Sequence, residues 1–98
     1  MAVFKQIYRV NEDGTKSTNY YVGESVGIAC GMFISALHEM GLATLTHTPQ
    51  PMRFLGRILK RPPEERPYIL FPVGFPALDC EVPSLSKKSV EDVASWFD

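Results

Sequence analysis

The sequence predicts a mixed α and β domain of the α+β class that is incomplete on its own, and three observations lead there. Apolar residues surround a helical segment from Gly23 to Met40 almost completely. Tyr68-Ile69-Leu70-Phe71 is an unbroken apolar run, as in a strand covered on both faces. Strand-like and helix-like segments alternate along the whole chain. A helix apolar all round has to be enclosed, and the few strands legible in 98 residues cannot enclose it. The chain is therefore expected to bury further surface against other protein, either a missing half or a second copy.

Taken in order, residues Ala2 to Val10 mix Val, Phe, Ile and Tyr with Lys, Gln and Arg and read as a strand with a solvated stretch. Asn11-Glu12-Asp13-Gly14 turns the chain, and the polar Thr15 to Asn19 that follows is read as a loop rather than a poor second strand. The central helix ends at Gly41, placed as a left-handed C-terminal cap that only glycine adopts without a steric penalty. Along it Gly27, Gly31 and Ser35 recur every fourth residue and form a smooth strip that another backbone can approach closely. Ala43 to Thr48 reads as a short strand stopped by the prolines of Thr48-Pro49-Gln50-Pro51. Pro51 suits the first position of a helix whose apolar face is Met52, Leu55, Ile58 and Leu59 and which ends before Pro62-Pro63. Pro72 has no N–H to give a ladder, so the strand from Tyr68 is expected to bulge or reach an edge there. Ser89-Val90-Glu91-Asp92 starts a last helix with a capping box, Asp standing in the Glu position. No repeat or low-complexity segment is present.

Composition narrows the function classes. With 45% hydrophobic and 21% charged residues the chain is of ordinary globular make-up, with length for one small domain. A net charge of -1 provides no broad cationic field for nucleic acid or an anionic membrane. The apolar run from Val26 to Leu37 falls well short of the roughly 20 residues that cross a bilayer. Cys30 lies in an apolar run and Cys80 between Asp79 and Glu81, with no Cys-x-x-Cys and no secretory leader, so reduced thiols and a cytoplasmic location are expected. His38, His47, Cys30 and Cys80 lack the paired spacings of a metal site, and no metal is expected. Cys30 sits mid-helix in surroundings that disfavour a nucleophilic thiolate. GIACG lies inside a helix and is no phosphate loop. The acidic residues Glu64, Glu65, Asp79 and Glu81 lie in polar turns and are assigned no chemistry. Composition and spacing thus name no reaction.

A resemblance does. GIACGMFISALHEMGLATLTHTP followed by RFLGRILKRPPEERPYILFPVGFP resembles the C-terminal half of the FMN-dependent nitroreductase family, nearest its dehalogenating, iodotyrosine deiodinase-like branch. VFKQIY at the start and VPSLSKKSVEDV at the end extend the likeness over nearly the whole chain. It implies a nitroreductase-like fold, a mixed sheet with a central buried helix, of which residues 1–98 form a partial domain lacking the N-terminal FMN-phosphate and lid segments. It further implies FMN as cofactor in the complete domain, with NAD(P)H as a possible reductant, a small-molecule substrate, and a homodimer with flavin at the interface. Neither nucleic acid nor membrane is implied as a partner.

On matching positions, Thr46, His47 and Thr48 resemble the segment that contacts the flavin ring. Thr48 falls where the dehalogenating branch places a hydroxyl near flavin N5 and is the one residue given a catalytic role. A hydroxyl gives and accepts hydrogen bonds, so it can follow N5 from acceptor to donor as the ring gains an electron and a proton. His47 is given backbone contact only. Lys87 matches a position whose arginine reaches the FMN phosphate; lysine keeps the charge and loses the bidentate fork. The substrate-clamping residues of true deiodinases lie outside the matched region. Three readings follow: a reductive dehalogenase once complete, an NAD(P)H-dependent reductase of nitro compounds, quinones or enones on the same fold, or a truncated fragment that persists as an oligomer without flavin.

Overall fold

The computed structural model describes residues 1–98. Nine elements follow one another: β1 (Ala2–Gln6), β2 (Tyr8–Val10), β3 (Lys16–Thr18), α1 (Val22–Glu39), β4 (Ala43–Thr44), α2 (Arg53–Ile58), β5 (Glu65–Leu70), β6 (Val73–Gly74) and α3 (Val90–Val93).

The N-terminal strand expected over Ala2 to Val10 divides at Ile7 into β1 and β2. β1 pairs antiparallel with β5, with a register shift between Val3 and Phe4, while β2 turns back on β3. β3 corrects the loop expected over Thr15 to Asn19. Its polar side chains are satisfied inside the hairpin: Asn11 Nδ2 donates to the Thr15 and Ser17 hydroxyls, and the Thr15 N–H and hydroxyl donate to Asp13. Those bonds hold the Asp13 carboxyl below its usual pKa, and Gly14 takes the turn at φ 82°. Lys16 lays its ammonium 4.8 Å from the centre of the Tyr8 ring.

α1 begins one residue before the expected start and ends as expected, with Gly41 at φ 72°. It is covered on one side only: Cys30 and Leu37 are buried, whereas Ile28 and Met32 are 66% and 70% exposed. Burial raises the Cys30 thiol pKa. On the covered side the Tyr68 hydroxyl donates to the Gly23 carbonyl at 3.4 Å, and a Cβ on Gly27 would meet that hydroxyl at 3.3 Å. Gly31 faces open space. The small strip is thus half used within the chain.

The helix expected from Pro51 starts later, at Arg53, with Met52 as its N-cap and the Met52 side chain buried; Pro51 lies before it, after a cis peptide bond. α2 packs along β5. The apolar run from Tyr68 lies in β5 and ends on Phe71, the one side chain fully buried, with the Phe33 ring edge-on to it at 5.3 Å and 63°. At Pro72 the strand breaks and resumes as β6, the interruption expected there, whereas Pro67 is accommodated inside β5 opposite Phe4, beside the register shift between Val3 and Phe4.

β1, the β5–β6 line and β4 lie side by side, so the 64–74 segment is the centre of a small antiparallel array. Beyond Phe71 every residue except Ala94 is exposed, including Phe75, Trp96 and Phe97. The Ser89–Asp92 capping box forms, yet α3 is a single exposed turn. The accessible surface of 8423 Å² compares with about 5,600 Å² for a compact protein of 11.0 kDa. The radius of gyration, 18.0 Å, compares with about 12.5 Å for a compact chain of this length. Five side chains are buried, and much of the apolar surface expected to be enclosed, one face of α1 included, is left bare.

Candidate functional site

The edge of the array carries residues 43–48 alongside 70–74. Ala43 pairs with Gly74, Thr44 with Val73 and His47 with Leu70, so one register runs through the segment with no residue gained or lost. The strand expected over Ala43 to Thr48 is present at its two ends and interrupted between them. Pro72, opposite Leu45 in that register, is the cause, since it cannot donate.

At the far end His47 makes a closed pair: its N–H donates to the Leu70 carbonyl at 2.9 Å and its carbonyl accepts the Leu70 N–H at 2.8 Å. Backbone groups of successive residues in an extended chain point to opposite sides. With His47 turned into the array, Thr46 and Thr48 are left with no hydrogen bond inside the chain, by backbone or by hydroxyl, and both are exposed. The bend thus presents hydrogen-bonding groups along an open edge, an arrangement suited to a planar heteroaromatic ring with donors and acceptors on its rim.

The three residues of this segment are brought together, and Lys87 is not. It lies in the exposed tail, and no hydrogen bond or cavity joins it to residues 46–48. Next to the bend runs an open, largely apolar groove of about 470 Å³, lined among others by Thr44, Leu45, Val73, Phe75 and Cys80. No cluster of three His, Cys, Asp or Glu side chains forms, and no helix is long and apolar enough to cross a membrane.

Sequence reasoning passed over Thr44. Its hydroxyl donates to the Pro72 carbonyl at 2.6 Å across the gap in the ladder. The signal was available, since Thr44, Thr46 and Thr48 alternate at the two-residue period of a strand, but the partner is 28 residues away and could not be read.

Comparison with known proteins gives a consistent picture. The chain is 56% identical over 88 residues to the iodotyrosine deiodinase of Haliscomenobacter hydrossis, a match covering 90% of this chain and 40% of that protein. It is 41% identical over 97 residues to the iodotyrosine deiodinase of Hydra vulgaris, covering 98% and 36%, and 45% over 94 residues to that of Danio rerio, covering 93% and 31%. Among solved structures it resembles oxidized iodotyrosine deiodinase bound to FMN and 3-iodo-L-tyrosine, with a TM-score of 0.66 and 32% identity over 74% of this chain and 39% of that one. No family model matches. The chain spans 40% or less of the length of these relatives. The likeness to the deiodinase branch of nitroreductase-like proteins, and the mixed α/β fold it implied, are those seen here.

Proposed function

We propose that the chain is part of an FMN-dependent reductive dehalogenase that acts on a small halogenated aromatic when the rest of the domain is supplied. The observation that carries this reading is the 56% identity over 88 residues to an iodotyrosine deiodinase. The free hydroxyls and backbone groups of Thr46 and Thr48 support it, because they are the groups a flavin rim would use.

In this reading the flavin supplies the electrons, and the chain supplies position and hydrogen bonds. Thr48 would hold the ring through its hydroxyl, which can either accept or donate a hydrogen bond as the protonation of its partner requires. Thr46 and the backbone around His47 line the ring edge. His47 has both backbone groups engaged with Leu70, so it fixes the bend and leaves its neighbours free. Lys87 meets the phosphate as a point charge after the exposed tail is placed by the missing half or by a second copy in a homodimer. Residues 1–98 then act as the C-terminal part of a nitroreductase-like domain.

The test is a chimera in which this chain replaces the matching 88 residues of the Haliscomenobacter hydrossis protein. It is expected to purify yellow with bound FMN and to release iodide from 3-iodo-L-tyrosine under reducing conditions. A folded, colourless chimera refutes the flavin reading. A yellow chimera that turns over nitro compounds but no iodinated aromatic moves the assignment to two-electron reduction.

A further inference from the structure

We propose that Thr44 is the positioning residue of the threonine bend, its hydroxyl replacing the ladder rung that Pro72 cannot form; the proposal rests on the flavin reading of that bend. In an antiparallel pair the rungs with reciprocal hydrogen bonds alternate. His47–Leu70 is such a rung, so the next one in the same register is Leu45 opposite Pro72, followed by Ala43–Gly74. At the middle rung Pro72 has no N–H to donate, and the Leu45 N–H does not reach the Pro72 carbonyl either. The rung is empty of backbone bonds on both counts. The Pro72 carbonyl instead accepts the Thr44 hydroxyl at 2.6 Å.

That bond is the only hydrogen bond between the 43–48 segment and Pro72, and it comes two residues before Thr46 and four before Thr48. Without it the segment is tied at Ala43–Thr44 and at His47 with a free span between. The height at which Thr46, inside that span, stands above the array then varies, and the strain on the His47–Leu70 rung that sets the approach to Thr48 varies with it. Thr44 touches no ring in this scheme and acts through the residues that do. Preorganised hydrogen-bonding groups lose their effect when displaced by a fraction of an ångström to an ångström.

Two variants separate the hydroxyl from the shape of the side chain: Thr44→Val removes the donor at nearly constant volume, and Thr44→Ser keeps it. In the 98-residue chain, amide hydrogen exchange at His47 and Leu70 is expected to be about fivefold faster in Thr44→Val, the loss of one ordinary hydrogen bond, and near wild type in Thr44→Ser. In the chimera, Thr44→Val is expected to shift the separation of the flavin's two one-electron potentials in the same direction as Thr48→Ala, with Thr44→Ser restoring it. A residue that merely stabilised the fold would leave that separation unmoved. Equal exchange in Thr44→Val and wild type overturns the role of Thr44 even if the wild-type chimera is yellow, as does an unmoved separation. A wild-type chimera that takes up no FMN overturns the flavin reading instead, and the exchange rates still decide whether Thr44 holds the bend.

Discussion

Thr48 and Thr46 stand free because His47, between them, takes both backbone bonds to Leu70. A threonine in an exposed strand is ordinarily solvent-facing filler. Here the resemblance and the free edge point the same way. Replacing Thr48 by Ala in the chimera should remove a hydrogen bond that changes with the charge and protonation of the ring. A bond of that kind is worth about 1 to 3 kcal/mol. The separation of the two one-electron potentials should then change by at least about 40 mV, since 59 mV corresponds to a tenfold effect for a single electron. Potentiometric titration reads it, and an unchanged separation removes Thr48 from the ring. Lys87 lies exposed in the tail and shares no hydrogen bond or cavity with the bend, so nothing within this chain joins it to Thr46 and Thr48.

α1 packs against β1 and β4, and its glycines are expected to respond differently to the same substitution. Gly41 is in the left-handed region, where a Cβ costs about 1 to 2 kcal/mol. Gly31 is helical with no atom within 4 Å of an added Cβ, and alanine there favours the helix by up to about 1 kcal/mol. Thermal unfolding of the 98-residue chain followed by its helical signal should show Gly41→Ala melting below wild type and Gly31→Ala above it. The opposite order would contradict the assignment of Gly41 as the cap. The other elements follow from local constraints as well: Pro72 divides β5 from β6, and the hydrogen bonds among Asn11, Asp13, Thr15 and Ser17 turn a polar stretch into β3.

As a whole the molecule exposes far more surface than its mass requires, and much of the excess is apolar: one face of α1 and the tail beyond Phe71. Isolated monomers seldom tolerate contiguous apolar surface on that scale. Sedimentation equilibrium of the purified chain should therefore give a multiple of 11.0 kDa, and these 98 residues alone, which span 40% or less of the length of the deiodinases they match, should purify nearly colourless. A monodisperse 11.0 kDa monomer that binds FMN tightly would show that the chain is self-sufficient.

The sequence by itself determined the mixed α and β class, the limits of α1 to within a residue, the Gly41 cap, the Ser89 capping box, the break at Pro72 and the likeness to the deiodinase branch. These are properties of neighbours a few positions apart, or of motifs that survive as strings. Only the tertiary structure decided that β3 pairs with β2, that Phe71 rather than Tyr68 or Leu70 is sealed in the core, that α1 keeps one face bare, and that Thr44 reaches Pro72. Each depends on which distant segments lie side by side and in what register. A shift of one residue would turn every side chain of the edge strand to the other face, and no local pattern in residues 43–48 specifies against which partner that register is set.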